Sequence, residues 1–197
     1  DIHRRTASEV FGVPFDEVTS EMRSAAKAVN FGIVYGISDF GLARQLGISR
    51  KEAARYIELY FMRYPGVHTY LKGCVERAKQ QGAATTLFGR RREMPELKSS
   101  NYNTRSFGER VAMNMPIQGT AADIIKLAMV RVHNELKARG MKSELILQIH
   151  DELIIDAVQE EADAAAEILK SCMENVVNLK VPLLAEVHTG HSWFDTK

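Results

Sequence analysis

The sequence predicts an α+β fold that is mostly helical, and three observations support this. Helical spacing of apolar residues, with helix caps and breakers, recurs along most of the chain. Residues 84–88 read as a strand leading to a basic turn. Residues 144–158 hold two apolar runs, rich in β-branched residues, that meet at His150-Asp151-Glu152. The last feature reads as an antiparallel β-hairpin with two adjacent carboxylates at its tip, where a divalent cation can be gripped. A solvated polar turn is the plain alternative. Against it stands the missing glycine or asparagine, since two-residue hairpin turns recruit those residues for their positive φ.

Each element can be justified in chain order. A short helical pattern reaches Val10, and a turn follows at Gly12-Val13-Pro14. The chain starts at Asp1 without a methionine, so a piece of a longer protein is expected. Ser20 is the expected N-cap of a helix from 21 to about 35, ended by Gly36. Within it Arg23, Lys27, Phe31 and Tyr35 recur every four residues and share one face. Two cations and two aromatic rings on a cleft-facing stripe suit phosphates and bases; snorkelling cations beside core aromatics would give the same spacing.

Residues 38–64 read as helix, tight turn at Gly47, helix, with Ser49 and Glu52 forming a capping box. Alone, this piece resembles a DNA-binding helix-turn-helix, and a non-catalytic regulator is the rival hypothesis. A helix from about 67 to 81 ends at Gly82. Arg90, Arg91 and Arg92 on the turn after Gly89 invite a phosphate backbone, or form a merely solvated cluster. A helix over roughly 104–115 is expected to break at Pro116 and resume near Thr120, where Thr120 and Asp123 give a cap pattern. Arg110, Asn114 and Gln118, four residues apart, can read base edges or sugar; equally, they can bond backbone groups freed by Pro116. Residues 160–177 form an amphipathic helix and 181–187 a last strand. His188 and His191 read as surface residues.

Composition narrows the function. The 197 residues are 45% hydrophobic, with no run of 18 apolar residues and no charged-then-apolar leader. A soluble, cytoplasmic protein with no membrane partner is expected. Cys74 and Cys172 lie far apart in helical segments, which argues against a disulfide framework or a cysteine metal site. The net charge of +1 hides an asymmetry. Residues 1–110 carry 18 Lys and Arg against 12 Asp and Glu, whereas residues 111–197 carry 8 against 13. A basic half that suits a polyanion and an acidic half that suits cations point to a nucleic-acid enzyme with metal ions, or to uneven solvated surface.

The stretch from Arg23 to Gly36 fits the Arg-x3-Lys-x3-Phe-x3-Tyr-Gly motif of family A DNA polymerases, and Gln148-Ile149-His150-Asp151-Glu152 resembles their carboxylate-bearing hairpin. Asp1-Ile2-His3, Gly89-Arg90-Arg91 and the run from Met115 to Asp123 are similar to further motifs, in the family's usual order. The resemblance covers essentially the whole chain and is closest to the carboxy-terminal part of bacterial members. It implies a fingers subdomain mainly over 1–98, with a basic hairpin near 84–97, and part of an antiparallel-sheet palm mainly over 99–197.

The resemblance also implies the roles. His3, Arg23 and Lys27 would hold the phosphates of a dNTP, and Lys27 joins Asp151 and Glu152 among the catalytic groups. Phe31 would lie against base and sugar and reject dideoxy sugars. Tyr35 would stack at the template position. Arg91, Arg110, Asn114, Gln118 and His150 would contact primer-template DNA. Asp151 and Glu152 would bind Mg²⁺, with two ions in the complete enzyme, for nucleotidyl transfer to a primer 3′-hydroxyl by a monomeric full-length protein. The family's other metal aspartate belongs to a motif this sequence lacks, as do the thumb and exonuclease domain. A fragment unable to extend a primer alone is expected.

Overall fold

Asp1 starts the first helix of the computed structural model, which describes residues 1–196. Its Oδ1 accepts the backbone N–H groups of His3 and Arg4, both at 3.0 Å. Helix α1 (Ile2–Phe11) then runs to Gly12, whose left-handed φ of 68° ends it. Helix α2 (Ser20–Val34) is capped by Thr19, not Ser20. Thr19 has the extended backbone a cap needs, and its Oγ1 accepts from Met22 N at 3.2 Å, which leaves Ser20 as the first helical residue.

Helices α3 (Asp39–Leu46) and α4 (Arg50–Arg63) flank a left-handed Gly47. Ser49 and Glu52 form the expected capping box at the start of α4. Helix α5 (Pro65–Gln81) begins on its proline, which sits where its missing N–H would be unpaired anyway. A short antiparallel pair follows, β1 (Ala83–Thr85) with β2 (Arg91–Glu93), in which Ala84 faces Arg92.

The expected break at Pro116 does not occur. Helix α6 (Tyr102–Ala138) is continuous over 37 residues with Pro116 inside it. An interior proline costs about 3 kcal/mol through the lost hydrogen bond and the ring's bulk. Packing outweighs that cost: Ala112 and Val111 lie in one apolar cluster before the proline, and Ala128, Val132 and Leu136 in another after it. With no second helix start, Thr120 and Asp123 lie inside α6 and not at a helix end.

The chain divides into two compact units, residues 1–119 and residues from 120 onward. In the first, Val29 and Ile33 of α2 pack with Leu42, Ala53, Tyr60 and Leu71. In the second, the hairpin of β3 (Glu144–Ile149) and β4 (Glu152–Asp156) packs Leu145, Leu153 and Ile155 against α6 residues and Ile168 of helix α7 (Ala162–Glu174). Leu145 pairs with Ile155 and Leu147 with Ile154, so Ile146 is an extra, bulged residue.

The last strand expected over 181–187 is absent among the described residues. The segment keeps a strand's alternation, with Leu183, Ala185 and Val187 more covered than their neighbours, but Leu184 is 83% exposed. It lacks a partner strand in the described structure, so the pattern has no ladder to join. No described helix is long and apolar enough to cross a membrane. Both cysteines are free.

Candidate nucleotide and nucleic-acid interface

The four-residue stripe of α2 faces outward. Arg23, Lys27, Phe31 and Tyr35 are all exposed, while Ala26, Val29 and Ile33 on the opposite face are buried. Phe31 is 49% and Tyr35 46% exposed, which rules out ordinary core aromatics. An exposed ring of this size is a flat apolar face open to a ligand.

Helix α1 brings His3 to the same surface. The His3 and Phe31 rings lie 5.7 Å apart at 44°. Asn30 Nδ2 lies 3.0 Å from His3 Nδ1 and donates to Thr6 Oγ1 at 3.1 Å. Burial, followed by the Arg23 and Lys27 charges, lowers the His3 pKa from the ordinary histidine value. Arg23 is engaged by Asp1, whose Oδ2 accepts from Nε at 2.6 Å. One carboxylate thus caps α1 and holds the expected phosphate-binding arginine.

Glu9 secures α1 to the far end of α4. Its Oε1 accepts from Arg5 at 2.8 Å and from Arg63 at 3.0 Å, and its Oε2 accepts from the Tyr64 hydroxyl. These bonds, Arg63 foremost and Tyr64 next, pull the Glu9 pKa down to about 2.

At the carboxy-terminal end of α2, Tyr35 meets α6. Gln118 Nε2 donates to the Tyr35 hydroxyl at 2.6 Å. Gly36 has φ 66°, and a Cβ there would run into Met113 and Arg110, so glycine permits the close approach. Tyr35, Arg92, Phe107, Arg110, Asn114 and Gln118 line an open cleft of about 440 Å³. Asn114 Nδ2 is buried there with no hydrogen-bond partner, an orphan donor of the kind that ligands satisfy. Arg110 donates to Ser106 Oγ at 3.1 Å, and its guanidinium lies 6.0 Å from the Phe107 ring. The donors of Arg110, Asn114 and Gln118 therefore do not serve backbone groups freed by Pro116.

The arginine cluster is divided. Arg91 and Arg92 are on β2, not on the turn. Arg91 is tied to Glu93 Oε1 at 2.8 Å and to the Gln81 carbonyl at 3.2 Å, whereas Arg92 lines the cleft. Strand alternation sends neighbours to opposite sides, and the linear sequence does not tell which arginine takes which. Phe107, Asn30 and Asp1 are the candidate-site residues to which sequence reasoning gave no role. Asn30 lies within the stretch from Arg23 to Gly36, yet its partner His3 lies 27 positions away.

In the second unit, residues 150 and 151 form a two-residue turn between Ile149 and Glu152. His150 has φ 51° and is the only non-glycine residue with positive φ among those described. It takes the position a primed turn reserves for glycine or asparagine, and histidine is one of the side chains that tolerate it. Gln148 Nε2 supports the turn by donating to the His150 carbonyl at 2.6 Å. Asp151 and Glu152 are exposed. No group of three or more His, Cys, Asp or Glu able to hold a metal occurs among the described residues. The pair nevertheless fits Mg²⁺, which takes oxygen donors, needs few protein carboxylates and keeps several waters.

The model of DNA polymerase family A matches residues 1–195. The chain belongs to that family. It is 58% identical over its whole length to DNA polymerase I of Caldicellulosiruptor bescii and 54% identical to that of Bacillus caldotenax, covering 23% and 22% of those proteins. It therefore spans less than a quarter of these curated relatives. A solved structure described as the POL domain of Pol1 from M. smegmatis in complex with DNA primer-template and dNTP matches the whole chain. The TM-score is 0.95 at 45% identity, over 35% of that structure's chain. Family A membership sets the helix-turn-helix regulator aside: the α3–α4 pair is part of a polymerase fold.

Proposed function

We propose that these residues form the fingers and part of the palm of a template-directed DNA polymerase, a monomer acting on primer-template DNA and dNTP. The observation that carries this reading is the exposed stripe of Arg23, Lys27, Phe31 and Tyr35, with His3 beside Phe31 and Tyr35 at the cleft. Fingers mainly over 1–98 and palm mainly over 99–197 is the subdomain assignment.

In the proposed reaction a primer 3′-hydroxyl attacks the α-phosphate of the dNTP and pyrophosphate leaves. Lys27 and Arg23 hold the triphosphate and balance the charge that grows on it, and Arg23 exchanges Asp1 for phosphate oxygens. His3 donates a neutral hydrogen bond to the same group. Phe31 lies along the base and sugar. Tyr35 occupies the cleft until a template base enters, and Arg110, Asn114 and Gln118 hold the minor-groove side of the new pair, with Arg91 on the DNA backbone. His150 steadies the primer end.

Asp151, with Glu152 beside it, would hold Mg²⁺, which when bound stabilises charge on the attacking and leaving oxygens. Two adjacent carboxylates are one wall of such a site, and the other comes from the longer polymerase. The 197 residues alone therefore extend no primer. A primer-extension assay with Mg²⁺ and dNTPs tests this directly: no synthesis is expected from this chain, and processive synthesis by it would refute the incompleteness.

A further inference from the structure

We propose that Asn30 is a positioning residue that fixes the protonation of His3, so that the imidazole faces an anionic ligand as an Nε2–H donor. The inference rests on the nucleotide-site reading above and adds a residue to it.

A chain of hydrogen bonds leads to this assignment. Thr6 is 1% exposed, and two acceptors are in reach of its one hydroxyl proton: the Ile2 carbonyl at 2.9 Å and the hydroxyl oxygen of Tyr64, whose own proton serves Glu9. Toward Asn30 the Thr6 oxygen can then only accept. The Asn30 atom 3.1 Å from it must be the amide nitrogen, which settles the orientation of the amide. The same nitrogen lies 3.0 Å from His3 Nδ1, within reach of the amide's second proton. Nδ1 must therefore be the bare, accepting nitrogen. The ring proton resides on Nε2, and a doubly protonated ring would set N–H against N–H.

The arrangement is buried enough to hold. Thr6 lies in the interior on α1, and Asn30 is partly covered on α2. Tyr64 carries the order outward: its hydroxyl bonds Glu9, and Glu9 is clamped by Arg63 and Arg5. The surroundings of His3 favour a neutral donor as well. Arg23 and Lys27 face it from α2 and supply the positive charge, with Asp1 on the Arg23 guanidinium. A phosphate arriving there meets two cations and one neutral, oriented N–H.

The test is nitrogen-15 NMR of the His3 ring in the chain, with nucleotide kinetics in the longer polymerase. The wild-type ring is expected to show a protonated Nε2 and an unprotonated Nδ1. Asn30→Asp, which places an acceptor against Nδ1, moves a proton onto Nδ1. Asn30→Ala raises the KM for dATP about tenfold, the scale of one hydrogen bond to a charged group, and adds nothing further in a His3→Ala background. A merely structural asparagine would keep its effect there. A wild-type ring with bare Nε2, or a ring unchanged by Asn30→Asp, overturns the proposal. So does a KM that rises in His3→Ala but not in Asn30→Ala. A His3→Ala enzyme with unchanged KM, alongside the expected ring protonation, removes the nucleotide contact and leaves the positioning of His3 standing. The wild-type ring alone decides the central point if a variant fails to fold.

Discussion

Gln118 Nε2 donates to the Tyr35 hydroxyl at 2.6 Å, joining residues 83 positions apart across one wall of the cleft. Each is proposed to touch DNA, so the bond occupies both partners in the free protein. Tyr35→Phe and Gln118→Ala should each lower stability by less than about 1 kcal/mol because both side chains are exposed. Their combination should show a coupling of about 0.5–1 kcal/mol. A urea double-mutant cycle measures it, and strictly additive losses would mean the bond contributes nothing in solution.

Glu9 should give the protein an acid-sensitive clamp. Its carboxyl is held down at about 2 in the folded protein, against 4.5 for an ordinary glutamate. Its stabilisation is therefore fully present above about pH 4.5 and is lost as pH falls from there through about 2. The Glu9 side chain is 14% exposed but its Arg5 and Arg63 partners are 65% and 57% exposed, so solvent screening discounts the pairing. Glu9→Gln should cost roughly 1–3 kcal/mol at neutral pH and flatten the acid limb of a stability–pH curve. An unchanged acid limb in urea melts of the variant would place the clamp elsewhere.

His150 carries backbone strain at the hairpin tip. With φ at 51°, replacement by glycine relieves a left-handed residue, and His150→Gly should stabilise the protein by about 0.5–1 kcal/mol. If His150 steadies a primer end, the same change lowers primer affinity in the longer polymerase. Thermal melts and primer-template titrations separate the two effects, and a loss of stability would contradict the strain.

Phe31 has its ring half exposed beside His3. Phe31→Tyr in the longer polymerase should increase incorporation of dideoxynucleotides relative to deoxynucleotides. A competition assay with chain-terminator mixtures reads this out, and an unchanged ratio removes Phe31 from the sugar contact.

How far the sequence could be read depended on the range of the interactions. The Ser49–Glu52 capping box and the stripe of α2 are local, set by spacings of three and four along one helix, and both stand in the structure. The hairpin at 144–156 was readable for the same reason, and the missing glycine at its turn, which counted against a plain solvated turn, leaves His150 to take the positive φ. Pro116 misled because its local penalty is outweighed by apolar clusters that no short window contains. The run 181–187 misled in the opposite way, having the alternation of a strand without a partner in the described structure. Arg91 and Arg92 are indistinguishable in the sequence, and only the pairing of β1 with β2 sends one to Glu93 and the other to the cleft. The Asn30–His3 and Gln118–Tyr35 contacts join distant positions, and no local pattern announces them.

The most direct test of the central claim is primer extension by the longer polymerase with and without Asp151→Asn, alongside primer-template binding by both. The claim predicts that the variant binds DNA with wild-type affinity and loses synthesis in Mg²⁺ by at least about a thousandfold, the order expected when electrostatic stabilisation of a transition state is removed. Synthesis at near wild-type rate by Asp151→Asn would contradict it.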